Sequence, residues 1–343
     1  MLSARKGQRL GRILPDNVQR LSVATSTVVA LDGCRTATYS RVVTQPAVSH
    51  AQKQRILLGI TLRVGAMAFL AGLSAIVKWT GERGIPVFEI ILFRNLFAFV
   101  PLGLYIWRTT GFEVLKTRRP LGHLTRSVIG LTGMVCGFSA VQHLPLTEAT
   151  ALQFTSPLFM TALSALLLGE AVGRHRWAAV VFGFLGVLLM ARPIPGELNL
   201  PGVTLGILSA IGAAGAMVAI RQIADTERGP TIVFYFTLGG VVLGLAGSAF
   251  HWVTPDALTL AMLVLAGLLG GIGQLLLTEA LRNAPVGVVA PFDYTQLVWA
   301  AGLGLLFWGE LPHPLTLVGA VIVASSGVYI LHRELRRFRG AEN

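Results

Sequence analysis

The sequence predicts an all-α integral membrane protein: ten transmembrane helices arranged as two inverted five-helix repeats. Three observations lead there. The 343 residues are 53% hydrophobic and only 13% charged, with mean hydropathy +0.68; a soluble domain carries about a quarter charged residues. Apolar stretches recur from residue 57 to residue 332, each near the roughly 20 residues that cross a hydrocarbon core of about 30 Å. Finally, "LLLGE" at 166–170 and "LLFWGE" at 305–310 close two such stretches with the same Gly-Glu pair, 140 residues apart.

The first 55 residues stand apart. They hold nine Lys/Arg against Asp16 and Asp32, many Ser and Thr, and no long apolar run. That composition fits a transit segment, a disordered basic tail or a start assigned too far upstream, and it lacks the compact apolar region of a secretory signal. No transport role is expected of this segment. Helices are then expected at about 57–79, 87–107, 121–142, 146–168, 173–191, 201–222, 231–250, 257–280, 286–308 and 314–332. The connections "TGERGIP", "HLPL", "RPIPGELNLP", "NAPVG" and "ELPHP" carry the Pro and Gly that stop one helix and start the next. Residues 56–192 make the first repeat, residues 200–332 the second, and residues 333–343 a basic tail.

Lys and Arg fall unevenly on alternate sides of these helices. One side receives the nine in the first 55 residues, Arg108, Lys116, Arg118, Arg119, Arg174, Arg176, Arg221, Arg228, Arg282 and the four in "RELRRFRG"; the other receives Lys78, Arg83 and Arg192. The positive-inside rule then places both termini in the cytoplasm, which requires an even number of crossings. The formal charge of +12 therefore reads as a topology signal, and nucleic acid is not an expected partner. The expected location is a bacterial inner membrane. Cys34 and Cys136 define no disulfide or metal framework, and no cofactor is expected.

The repeat is legible in detail. Shifted by 140 residues, Gly130 meets Gly270, Gly133 meets Gly273, Pro145 meets Pro285, Thr155 meets Thr295, Leu163 meets Leu303 and Gly169-Glu170 meets Gly309-Glu310, without a gap. The unit is five helices. Because five is odd, the second half must enter the bilayer inverted, the plan of many secondary transporters that bind solute between their halves. The Gly suits the left-handed position that ends a helix, and the Glu suits the entry to the next. Glu170 and Glu310 are thus expected at opposite faces, as structural residues first and as halves of gating ion pairs second.

"HLPLTEATALQFTSPLFMTALSALLLGE", the following "RWAAVVFGFLGVLLMARP", the weaker second copy "APVGVVAPFDYTQLVWAAGLGLLFWGE" and "FEIILFRN" together resemble an EamA-type, ten-helix member of the drug/metabolite transporter superfamily, over about residues 57–332. The resemblance implies a transporter rather than an enzyme. It leaves the solute open, since the superfamily moves amino acids, vitamins, nucleotides and drugs. The first-half motif is similar to subfamilies that include riboflavin and S-adenosylmethionine importers. Riboflavin uptake is the first expectation, with S-adenosylmethionine uptake and metabolite or drug export as alternatives. The expected partners are a small-molecule solute and the lipid bilayer, with a homodimer allowed.

Candidate pathway residues come from the repeat. Gln153, Ser156, Met160 and Ser164 form one helical stripe, and Asp293, Gln296, Ala300 and Gly304 form its equivalent. Polar groups are costly against lipid, so both stripes should face protein or water; interhelical bonding is the competing role. Thr155 and Thr295 sit at the same level. Asp293 lies about 10 Å into its helix at 1.5 Å per residue. It would bind a cation, carry a proton, accept from a ring N–H, or pair with an Arg. Arg94, mid-helix in "FEIILFRN", would hold an anionic or carbonyl group or pair with Glu89 or Glu148. Arg63 and Arg126 lie near helix starts and read as snorkelling anchors. Tyr294, Phe154 and Trp299 flank the stripe and would suit a flat ring, or simply pack. Pro157 leaves the carbonyl of Gln153 free. Pro291 aligns with Ala151, so asymmetric kinks are expected. No Walker A, G-x-S-x-G, H-E-x-x-H or C-x-x-C motif occurs, which argues against a membrane enzyme.

Overall fold

The computed structural model describes residues 25–30, 37–42, 50–168, 174–191, 199–223, 225–284 and 286–341. The chain divides into two units, Met1–Gln54 and Arg55–Asn343. Within the first, β1 (Thr25–Ala30) pairs antiparallel with β2 (Ala37–Val42), Thr25 opposite Val42 and Ala30 opposite Ala37. The Thr, Val and Tyr in "TSTVVA" and "ATYSRV" favour an extended pleat. The basic composition of the segment did not signal this pairing.

The helices of the larger unit follow the expected order: α1 (His50–Glu82), α2 (Val87–Thr109), α3 (Pro120–His143), α4 (Leu146–Gln153), α5 (Ser156–Leu168), α6 (Arg174–Ala191), α7 (Leu200–Ile223), α8 (Gly229–Ser248), α9 (Ala257–Asn283), α10 (Val286–Val289), α11 (Thr295–Trp308) and α12 (Pro314–Ala341). Their ends follow local chemistry. Pro86 and Pro145 precede α2 and α4, and Pro120 opens α3, where a missing N–H costs nothing. Asp256 caps α9 by accepting the Thr259 amide at 2.9 Å. Gly309 ends α11 in the left-handed region, φ 66°, where a side chain would be strained. The amides of Gly309 and Glu310 turn back onto the Leu305 and Gly304 carbonyls, each at 3.1 Å.

Among the described residues, six helices are long and apolar enough to cross a bilayer: Lys53–Glu82, Val87–Thr109, Pro120–His143, Leu200–Ile220, Gly229–Ser248 and Ala257–Asn283. The fourth and ninth expected helices are each broken. The fourth divides into α4 and α5 at Phe154–Thr155, and the ninth passes from α10 through a tight turn, Ala290–Tyr294, into α11. Among the described residues, a shorter apolar helical stretch, Pro314–Ser326, lies in α12. Large side chains such as Leu166, Phe182, Val242 and Leu306 lie exposed, which a bilayer tolerates and water does not.

Packing repeats itself between the halves. Helix α3 runs antiparallel to α7, with Gly122 against Ile223, Gly133 against Gly212 and Gly202 against Leu144. Its counterpart under the 140-residue offset is α1 against α9, also antiparallel, with Gly59 against Ala284 and Gly72 against Leu269. Helix α2 lies against both α8 and α9, α8 against α3, and α6 against α12. A Cβ on Gly212 would come within 2.6 Å of the Gly133 Cα, so the two backbones touch without intervening side chains, as small residues allow. The core gathers Val77, Ile90, Leu146, Leu152, Leu263 and Val323 from both halves.

Candidate functional site

The two broken helices meet, since α4 packs on α11. Each break is closed by the same local bond. Thr155 Oγ1 donates to the Leu152 carbonyl at 2.7 Å, and Thr295 Oγ1 donates to the Phe292 carbonyl at 2.6 Å. These threonines are equivalent under the repeat. So are their neighbours Phe154 and Tyr294, whose rings meet edge to face with centroids 4.9 Å apart. The kinks are asymmetric, as the mismatched prolines imply: α4 stays helical to Gln153, whereas the equivalent second-half segment leaves the α-helix at Val289 and enters the tight turn Ala290–Tyr294. Pro157 lies in the first turn of α5, where it is tolerated, and Pro291 lies inside the tight turn. The Thr hydroxyls mark the same level in both halves.

Next to each Thr the polar stripe reaches across to the first helix of the other half. Gln153 Nε2 donates to Ser209 Oγ on α7 at 2.5 Å. Asp293 receives a bidentate pair from Arg63 on α1, Nε on Oδ1 and Nη2 on Oδ2, the latter at 2.6 Å. The reading of Arg63 as a snorkelling anchor is therefore corrected. Its side chain is 12% exposed and faces the bundle, because its forked guanidinium matches a carboxylate that the fold brings to it. Ser156 and Gln296 are half-buried beside the breaks. Trp299, expected to flank the stripe, is 43% exposed and takes part in no ring contact among the described residues.

Fifteen residues further along α1, Lys78 forms a second ion pair, with Glu310. The other oxygen of Glu310 accepts the Leu146 amide at 3.0 Å. Lys78 also sits 5.1 Å from the centre of the Trp308 ring, and Trp308 Nε1 donates to Glu82 at 2.6 Å. One carboxylate thus joins the end of α11, the start of α4 and the end of α1. Its repeat partner Glu170 lies outside the described residues.

Arg94 lies away from the breaks. It is 8% exposed, and its Nη1 donates to Asn95 Oδ1 at 2.8 Å. Pairing with Glu89 does not occur: Glu89 Oε2 accepts the Val253 amide at 3.1 Å, and five residues along a helix turn the side chain by about 140°. Nor does Arg94 meet Glu148, which lies 3.5 Å from the Thr316 hydroxyl. Instead Arg94 lines a narrow cavity between α2, α3, α8 and α9 together with Arg126, Thr237 and Gln274. Arg126, also expected as an anchor, lays its guanidinium 3.7 Å from the Phe236 ring centre. Arg94 Nε and Arg126 Nε and Nη1 are buried without a hydrogen-bond partner.

A third cluster lies at a loop. Between α7 and α8, Glu227 accepts the Arg118 amide at 2.9 Å and the Thr117 hydroxyl at 3.0 Å, with His123 Nε2 3.2 Å away. Burial raises the Glu227 carboxyl, but these partners outweigh it and hold it below the usual carboxylate range.

The model of the EamA-like transporter family matches twice, at residues 57–192 and 200–331. The chain belongs to the EamA-like transporter family. EamA-like proteins are transporters rather than enzymes. A pseudopaline exporter of Pseudomonas aeruginosa is 34% identical over 77% of this chain and 93% of its own length. A riboflavin transporter of Rhizobium johnstonii is 30% identical over 84% and 95%. An S-adenosylmethionine uptake transporter of Rickettsia bellii is 29% identical over 75% and 87%. A solved crystal structure superposes with a TM-score of 0.57 at 18% identity, covering 83% of this chain and 99% of that one, which supports the fold alone. This EamA-like chain is an integral membrane transporter of small molecules.

Proposed function

We propose that the chain is a secondary transporter that moves a small organic metabolite, without ATP, by alternating access of its two inverted halves. Ten crossings with both termini cytoplasmic, in a bacterial inner membrane, complete the reading. The observation that carries it is the meeting of the two helix breaks: equivalent residues of the two halves, Phe154 and Tyr294, touch, and each break is tied to the other half's first helix through Gln153–Ser209 or Asp293–Arg63. Discontinuous helices at a repeat interface are where such transporters bind solute and change access. Asp293, Gln153, Ser156, Gln296 and the two threonines line that interface in this reading. The Lys78–Glu310 pair closes its outer end, with Glu170 in the matching inner role.

Relatives carry the names of riboflavin transport, S-adenosylmethionine uptake and pseudopaline export. Riboflavin uptake drew its sequence support from an aromatic-flanked stripe. That support weakens here, because Phe154 and Tyr294 pack on each other and Trp299 is exposed. The test is uptake and efflux of labelled riboflavin, S-adenosylmethionine and an amino-acid mixture in proteoliposomes of the full chain. Saturable flux of one solute without ATP is expected, and none for any would count against the reading. Reporter fusions after residues 195 and 312 should read outside and one after 225 inside; reversed labels would sink the inverted arrangement.

A further inference from the structure

We infer that the cavity walled by α2, α3, α8 and α9 is an anion subsite, and that the transported solute carries a carboxylate or phosphate group which Arg94 and Arg126 hold. The inference rests on the transport reading above and adds to it a solute class and a second contact for the solute, apart from the helix breaks.

Two guanidiniums face one narrow cavity, and among the described residues neither meets a carboxylate. Acidic side chains of the bundle are directed to other groups: Glu89 Oε2 accepts the Val253 amide, Glu279 pairs with Tyr105 and Arg282, and Asp293 with Arg63. Arg94 is more than nine-tenths buried, yet its Nε has no acceptor, and two nitrogens of Arg126 are likewise unpartnered. Asn95 occupies one Arg94 nitrogen and the Phe236 ring one face of Arg126, which leaves both residues with unpartnered nitrogens in the wall of one cavity. Two like charges in a low-dielectric interior repel and leave donors unsatisfied, an arrangement that an incoming anion relieves on both counts. Forked guanidiniums suit the paired oxygens of carboxylate and phosphate.

The local sequence makes room for this. Gly270 and Gly271 on α9 line the cavity, and a Cβ on Gly270 would come within 3.1 Å of Arg94 Nε. Thr237 and Gln274 add neutral polar groups to the wall. The helix pairs that wall the cavity, α2 with α9 and α3 with α8, are equivalent under the repeat, and each joins one helix from each half. The site discriminates among the named solutes: S-adenosylmethionine bears a carboxylate, whereas riboflavin bears neither carboxylate nor phosphate.

The test uses the purified full chain in neutral detergent. Melting temperature is measured against S-adenosylmethionine, L-glutamate, citrate and inorganic phosphate, with riboflavin and chloride at matched ionic strength as controls and phosphatidylglycerol as a separate arm. At least one carboxylate or phosphate solute should stabilise the protein saturably. Arg94→Gln and Arg126→Gln should each weaken that binding about tenfold to a hundredfold, the range for a hydrogen bond to a charged group. Both should fold without added anion at least as stably as the native chain, because each removes an unpaired buried charge. Arg94→Lys, which keeps the charge and loses the fork, should bind more weakly than native. Anion binding unchanged in both Gln variants would overturn the inference, and so would protection by phosphatidylglycerol that no solute anion competes with, or by no anion at all. Proteoliposome flux separates the two readings. Riboflavin flux that survives Arg94→Gln removes the anion subsite and leaves transport standing. Arginine-dependent anion binding with no flux removes transport and leaves the site.

Discussion

Replacing Asp293 by Asn should strand Arg63 and lower stability. The pair is bidentate and joins residues 230 positions apart, so it ties the ninth segment to α1. Breaking a fully buried pair by removing one partner costs about 3–5 kcal/mol, while an exposed pair is worth about 0–1 kcal/mol. Here Arg63 is 12% exposed and Asp293 35%, so water reaches the carboxylate and the cost should fall between, about 1–3 kcal/mol. With an unfolding entropy near 2 cal/mol/K per residue, a bundle of this size loses roughly 2–5 °C of melting temperature. The assay is a double-mutant cycle: Asp293→Asn, Arg63→Gln and both together, melted in one detergent. The double variant should be more stable than the sum of the single losses by about 1–2 kcal/mol, since removing both charges strands neither. Strict additivity would show that the two side chains do not hold one another and would refute the reasoning.

Three further outcomes are expected. Gly212→Val should disrupt the α3–α7 contact, because even a Cβ there would meet Gly133 Cα at 2.6 Å; a loss of about 1–3 kcal/mol or more for overpacking would show as a lower melting temperature, and an unchanged one would contradict the close approach. Glu310→Gln should loosen the junction of Lys78, Leu146 and Trp308, so a cysteine at the buried Leu144 position in a chain lacking Cys34 and Cys136 should label faster with an impermeant maleimide; an equal rate would count against the junction. For Glu227, held below its ordinary range, the stabilisation is present above the unfolded carboxylate range near pH 4 and is lost as pH falls through the folded value. Glu227→Gln should therefore flatten the acid limb of a melting-temperature profile, and an unaltered limb would assign acid lability elsewhere.

Helix ends were legible because their causes are local: Pro86, Pro120, Pro145 and Gly309 each act on the backbone at their own position. The repeat was legible as well, and the 140-residue offset brings together residues that the fold then places in contact, Phe154 and Tyr294. The mismatched prolines signalled unequal breaks, but the level the breaks share was not legible, because it is marked by a Thr hydroxyl bonded three residues back in each half. Arg63 and Arg126 were misread for a different reason. Nearness to a helix start suggests an anchor, but whether a guanidinium turns outward depends on partners such as Asp293 and Phe236, which lie more than a hundred residues away and leave no mark in the neighbouring sequence. Glu89 shows the converse case, an acid close in sequence to Arg94 but on another side of the same helix.

The two ion pairs on α1 have a mechanical consequence. Arg63 and Lys78 are fifteen residues apart, about 22 Å along the axis at 1.5 Å per residue. A rod pinned at two such points is locked in orientation; released at one, it has the other as a fulcrum. With Lys78 free and Arg63 still held, a tilt of about 10° would carry the far end through roughly 4 Å, from that same 22 Å arm. That exceeds the width of a water molecule, so in the alternating-access mechanism proposed above a modest swing of this one lever is enough to change which end of the bundle is wet.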